Sequence, residues 1–288
     1  MKFLTFLFLT SIYLLPQQVY ANSASAGEGN CSRIVSLAPS VTEVLLGLGL
    51  NKNLVGVTRF DRLPDELSGL TRIGGYMDLN IEQVRLLNPS VVIGFSEHTD
   101  SLTDFKRLGI KSLQVEHRSL DGITASVGEL GSFCGVDEQA EALTGKIDKL
   151  ENDLLAKINQ ASDSSPRVLI LLGYPGGELF ASGTDGFYSA IIDRLGAQNA
   201  LSMTTRSLGS LTPESVIQLN PDVIFHISGA NQQEVARSEL MKYWDRFSSI
   251  SAVKSQRIYT FHGYDFTIPG PSYPFIMQQF AQALYGIS

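Results

Sequence analysis

The chain has 288 residues, 43% of them apolar and 18% charged, with a formal net charge of −7 at pH 7. That charged share is below the roughly 25% usual in soluble domains, which excludes an acidic disordered protein and leaves ample material for a core. With 22 Lys and Arg against 29 acids and no basic stripe, nucleic-acid binding is excluded as well, because it needs cations against phosphates.

Residues 1–26 read MKFLTFLFLTSIYLLPQQVYANSASA. Lys2 opens the segment, an apolar run follows, and small residues at Ala21, Ala24 and Ala26 offer cleavage points, which is the pattern of a signal peptide. A membrane anchor needs about 20 apolar residues, and Pro16 closes this run earlier. The expected location is therefore periplasmic. Cys31 and Cys134 are the two cysteines. In an exported protein they can close one disulfide. Two free thiols, or a lipid on Cys31, are the alternatives.

The next stretch alternates strand and helix. RIVSLA (33–38) is a short β run, and Ser40 with Glu43 reads as a capping box ahead of VTEVLLGLG. LVGVT (54–58), PSVVIGF (89–95) and KSLQVE (111–116) are further strands, with a helix at 102–110. The nearly continuous apolar run at 89–95 marks a strand buried on both faces. Alternation of this kind predicts βα units around a mostly parallel sheet.

Residues 137–160 contain no proline and place apolar residues at intervals of three and four, from Ala142 to Ile158. They predict one long helix, about 36 Å at 1.5 Å per residue, long enough to link two lobes. After the loop at 162–166 the pattern restarts. Strands are expected at 167–173, 221–227 and 257–261, and helices at 185–199 and 271–286. The organisation read from this is a signal peptide (1–26), a first lobe (27–134), an interlobe helix (135–162) and a second lobe (163–288). The fold class is α/β, two Rossmann-like lobes with mainly parallel sheets joined by a single helix.

One echo ties the halves together. LNIEQVRLLNPSVVI (79–93) and LTPESVIQLNPDVIF (211–225) share a capping residue, a first-turn glutamate, a helical stripe, Asn-Pro and an apolar strand. Glu82 and Glu214 fall at the second helical position in each. Either acid alone is explained by the helix dipole. The repetition also fits one exposed anionic knob per lobe for a partner with two-fold-related sites.

Ligands of open α/β sheets collect beyond the carboxyl ends of the strands. Tyr76, Phe95, Tyr174, Phe180, Tyr188, Tyr264 and Phe266 fall in such segments and could line an interlobe cleft, or could be packing. His98, His226 and His262 also sit at or after strand ends, where His98 and His226 could reach a ligand. A metal site built by the protein is not expected, because their spacings form no motif. There is no GxGxxG, P-loop, GxSxG or HExxH pattern, so no catalytic residue is assigned and the protein is not expected to be an enzyme.

RIVSLAPSVTEVLLGLG (33–49), LVGVTRFDRLP (54–64), IGGYMDLNIEQVRLLNPSVVI (73–93) and LTPESVIQLNPDVIF (211–225) resemble the substrate-binding proteins of ABC importers for vitamin B12, iron–siderophores and haem. The nearest likeness is to the vitamin B12 branch, where cleft aromatics stack on the ligand; the resemblance implies that role for Phe60, Tyr76, Phe95 and Phe180, although Phe60 stands where close relatives often have tyrosine. The resemblance implies a monomeric two-lobed receptor with no intrinsic cofactor. It would hold cobalamin or another metal chelate between its lobes and dock to a membrane permease through Glu82 and Glu214. Haem, a ferric siderophore, a bare metal ion and an exported enzyme on the same fold are the alternatives.

Overall fold

The computed structural model describes residues 29–161, 164–173, 179–201, 209–229 and 236–287. The signal-peptide segment and Tyr174 lie outside the described residues.

The first lobe contains β1 (Ile34–Ser36), α1 (Pro39–Gly47), β2 (Leu54–Val57), β3 (Thr71–Arg72), α2 (Ile81–Leu86), β4 (Val91–Gly94), α3 (Thr99–Arg107) and β5 (Lys111–Gln114). Its five strands form a fully parallel sheet in the order β3-β2-β1-β4-β5. Two helices follow, α4 (Leu120–Cys134) and α5 (Asp137–Ala161). The 25 residues of α5 rise about 37 Å and carry the chain into the second lobe.

The second lobe is built from β6 (Arg167–Leu172), β7 (Leu179–Ala181), α6 (Phe187–Arg194), β8 (Gln198–Asn199), β9 (Gly209–Leu211), α7 (Pro213–Leu219), β10 (Val223–Ser228), α8 (Arg237–Trp244), α9 (Ser251–Lys254), β11 (Ile258–His262) and α10 (Tyr273–Tyr285). Its sheet runs β11-β10-β6-β7-β9, with β8 also paired to β6. The β6–β10–β11 core is parallel, while β7 runs antiparallel to β6 and β9. Two α/β lobes, mostly parallel sheets and a linking helix form the architecture expected from the alternation of elements.

The strands show why their sequences are apolar at nearly every position. Ile34, Val91 and Ile93 point into one cluster with α1 and α4, whereas Val35 and Val92 point to the opposite face with Phe105. Side chains alternate between faces along a strand, so helices on both sides bury both sets. The first cluster runs on into the second lobe through Ile147, Leu154, Ile170, Phe225 and Phe280. A core continuous across the joint makes hinge motion expensive, because opening would expose apolar surface at about 25 cal/mol per Å2.

The repeated units adopt the same local structure. Asn80 Oδ1 accepts the Gln83 backbone N–H at 2.9 Å, and Thr212 Oγ1 accepts that of Ser215 at 3.2 Å. Both turns then use asparagine in the left-handed region, Asn88 at φ 44° and Asn220 at φ 41°, where asparagine is better tolerated than most side chains. The chain reverses there into β4 and β10, which occupy matching places beside β1 and β6.

A disulfide joins Cys31 to Cys134 across a sequence separation of 103, pinning the start of β1 to the end of α4. Serine at both positions is expected to cost about 3 kcal/mol of stability by freeing a long loop in the unfolded chain. Urea unfolding checks this, and an unchanged midpoint would contradict it.

Candidate interlobe binding site

The candidate site forms where the strands of both sheets end. Ala38 and the start of α1, Pro39 and Ser40, follow β1, Phe60 follows β2, Tyr76 follows β3 and Phe95 follows β4. From the opposite lobe come Gly229 after β10 and Tyr264, Ile268 and Pro269 after β11. Together they enclose a cavity of about 560 Å3, within the 300–1,000 Å3 typical of small-molecule sites. Among the described residues, no charged side chain lines it.

Two further chambers adjoin it. One of about 580 Å3 shares Pro39, Tyr264 and Ile268 and is lined by Glu43, Arg62, Asp65 and Asp265. The other, of about 210 Å3, lies behind Tyr76 and Phe95 and reaches Glu97, Glu116, His117 and Arg118. The trough as a whole therefore has an aromatic, uncharged middle and polar ends.

Each wall residue is held in place. Asp61 Oδ2 accepts the Thr58 backbone N–H at 2.8 Å and the Thr58 hydroxyl at 2.5 Å, and Arg72 donates to the carbonyls of Thr58 and Asp61. This knot fixes the turn that presents Phe60, which is 49% exposed and carries the Arg59 guanidinium over its ring at 4.9 Å. Burial raises the Asp61 carboxyl above its ordinary range, with the Thr58 hydrogen bonds pulling the other way. Tyr76 is half-buried, and burial together with the nearby Glu97 charge pushes its phenol up to about 12. Tyr264 is likewise pushed up to about 12 by burial, and its hydroxyl accepts the Arg62 N–H from the other lobe at 3.2 Å.

The histidines take supporting positions. His98 is buried, its Nδ1 accepting the Phe95 N–H and its Nε2–H donating to the Tyr76 carbonyl, each at 3.0 Å. Both nitrogens are thus used in tying two cavity residues together, and His98 does not line the cavity. His226 lies in the core on β10, where its Nε2 accepts the Trp244 indole N–H at 3.0 Å. His262 shares a hydrogen bond with Ser228. The histidines do not converge, and among the described residues no group of three or more His, Cys, Asp or Glu could hold a metal ion. Phe180 sits on β7, outside the lining of the three chambers.

His226 gives a pH prediction. Burial lowers its pKa from 6.5 to about 3, so the folded protein refuses a proton that the unfolded chain accepts. The stabilising difference is complete above about pH 6.5 and declines as pH falls toward the folded value. His226→Gln is expected to remove up to about 3 kcal/mol of the stability lost between pH 7 and 4, at about 1.4 kcal/mol per unit. Urea unfolding at the two pH values tests it, and an identical acid loss in both proteins would refute it.

Glu43 departs from the sequence expectation. Helix α1 begins at Pro39 after Ala38, without a side-chain cap. Glu43 instead crosses to the second lobe, where Oε1 accepts the Ser272 backbone N–H at 3.0 Å at the start of α10. Its burial raises its pKa, offset in part by the Ser272 hydrogen bonds. The Ile268–Pro269 wall and this tether escape the sequence reading, which assigns nothing between Phe266 and the helix expected at 271–286. The rigid Pro-Gly-Pro that follows was the available signal.

A cleft built from strand ends of two similar lobes joined by a stiff helix defines a solute receptor of the two-lobed type. The periplasmic binding protein family model matches residues 34–264, and the chain belongs to that family. The protein is accordingly a periplasmic, non-catalytic solute-binding component that works with the membrane permease of an ABC importer. It is 28% identical over 88% of its length to an uncharacterized ABC transporter substrate-binding lipoprotein, YvrC of Bacillus subtilis, covering 80% of that protein. It is also 28% identical to the high-affinity heme uptake system protein IsdE of Staphylococcus aureus, over 90% of this chain and 88% of the relative. Among solved structures, the periplasmic heme-binding protein HutB of Vibrio cholerae matches with a TM-score of 0.76 and 25% identity, over 88% of this chain and 98% of the other.

These matches correct the expected vitamin B12 branch and, with it, the expected cobalamin cargo. Haem is the ligand named for the relatives that match at 25–28% identity. The vitamin B12 binding protein BtuF of Vibrio cholerae also has a TM-score of 0.76, but at 22% identity that likeness is one of fold alone. The motifs behind the earlier expectation lie in β1–α1, the GYMD turn, α2 and α7. Those elements build the shared scaffold and say little about cargo.

Proposed function

We propose that the protein captures haem in the interlobe cleft and delivers it to the permease, docking through Glu82 and Glu214. The observation that carries this reading is the central cavity, uncharged and walled by Phe60, Tyr76 and Phe95 on one lobe and by Tyr264, Ile268 and Pro269 on the other. Flat aromatic and apolar walls on two sides suit a planar macrocycle. Haem iron is held in proteins by His, Cys, Met or Tyr. Of these types, Tyr76 and Tyr264 line the cavity among the described residues. Both phenols are held protonated by burial, so ligation to ferric iron would release a proton. The 28% identity to a heme uptake protein supports the same cargo.

Titration with ferric haem tests the proposal. A saturable shift of the Soret band at one haem per protein is expected, altered in Tyr76→Phe or Tyr264→Phe. A wild-type spectrum indistinguishable from free haem would contradict the proposal.

A further inference from the structure

The arginines of the first lobe that border the cleft differ in what holds them. Arg59, beside Phe60, is bound bidentately by Asp78 at 2.8 and 3.0 Å. Arg118, in the small end chamber, pairs with Glu97 at 2.5 Å. Arg72 donates to the carbonyls of Thr58 and Asp61, each at 2.9 Å. Arg62 lines the larger end chamber, and its guanidinium has no acidic partner among the described residues. That chamber shares Pro39, Tyr264 and Ile268 with the aromatic cavity, so a ligand seated in the cavity can extend an arm toward Arg62.

The base of Arg62 is fixed while its head is free. Asp61 beside it is knotted to Thr58, and the Arg62 backbone N–H donates to the Tyr264 hydroxyl at 3.2 Å. A guanidinium on such a support can take a carboxylate bidentately. The acids of the chamber do not supply that carboxylate. Glu43 is turned to the Ser272 backbone N–H at 3.0 Å, and burial raises its pKa toward the neutral form. Asp65 and Asp265 are exposed, so water screens them. Their charge opposes an incoming anion, which keeps the expected gain modest.

We infer that Arg62 takes a carboxylate of a macrocycle whose faces lie in the aromatic cavity. This rests on the haem reading and adds the residue that selects for an acidic side arm.

Spectral titration of the mature protein with ferric protoporphyrin IX and with its dimethyl ester, in the same dilute detergent, tests this in wild type and in Arg62→Met. Wild type is expected to bind the free acid about three- to tenfold more tightly than the ester, above the yield of an exposed ion pair and below that of a buried charge-assisted bond. Arg62→Met is expected to erase that preference by weakening the acid alone, and its unchanged ester binding shows that the cavity is intact. An ester bound by wild type as tightly as the acid, or an Arg62→Met protein that loses both compounds equally or neither, would overturn the inference while leaving haem as the cargo. If wild type binds neither compound, the haem reading falls, and the inference with it.

Discussion

Alanine at both Glu82 and Glu214 is expected to abolish permease-dependent uptake while leaving ligand affinity within about twofold, because neither residue lines the cavity or its adjoining chambers. Both side chains are exposed at the second position of a capped helix, one on each lobe. Glu82 lies 3.5 Å from Arg85, a loose and exposed pair. Such pairs contribute at most about 1 kcal/mol, so a cationic partner could displace Arg85 cheaply. Once desolvated at an interface, a charge pair can be worth about 1.5–7 kcal/mol, and losing two would weaken docking by more than a hundredfold. Single variants should show intermediate uptake. Transport assays in vesicles carrying the permease, paired with ligand titration, measure both quantities. Uptake at the wild-type rate in the double variant would refute the docking role.

The second large effect concerns the joint between the lobes. Arg194 on α6 donates to the carboxylate of Glu151 on α5 and, at 2.7 Å, to Asp121 on α4. Glu151 is buried and also accepts the Tyr273 hydroxyl of α10 at 2.7 Å. Four helices thus meet on one arginine–glutamate pair. Arg194→Met would leave the Glu151 carboxylate buried with a single neutral donor. Breaking a fully buried pair costs about 3–5 kcal/mol. The Arg194 side chain is 37% exposed, so water screens part of that and a loss of about 2–3 kcal/mol is expected. Asp121, 87% exposed, should cost no more than about 0.5 kcal/mol as alanine. Urea unfolding of the two variants separates the contributions, and equal effects would contradict this account of the joint.

The strands that were legible from the sequence are those with helices on both faces. In β4, β6 and β10 nearly every position is apolar because both faces are covered, the exceptions being Arg167, His226 and Ser228, and the flanking Asn-Pro or Gly marks their ends. The short β7 and β9 lie at the antiparallel end of the second sheet, where three-residue strands give no periodicity to read. Helix α4 was missed because Gly122, Gly128 and Gly131 argue against a helix. In the structure a side chain at Gly131 would collide with Ala140 of α5, so that glycine lets α4 and α5 approach closely. Tyr76, Phe95 and Tyr264 could be placed near a cleft because βα topology sends strand ends to one edge, whereas Phe60 was placed there by the family resemblance. The roles of Glu43 and His98 could not be read. Each depends on a partner from another element, Ser272 across the cleft for Glu43 and the Tyr76 carbonyl for His98, and nothing in local spacing encodes either pairing.

The most direct measurement is a crystal structure of the protein loaded with ferric haem, with the iron located by its anomalous signal. The account predicts one iron between the lobes, within bonding distance of a Tyr76 or Tyr264 hydroxyl, with the macrocycle against Phe95 and Pro269. Iron bound on an outer surface, with the cavity still open between the lobes, would contradict it.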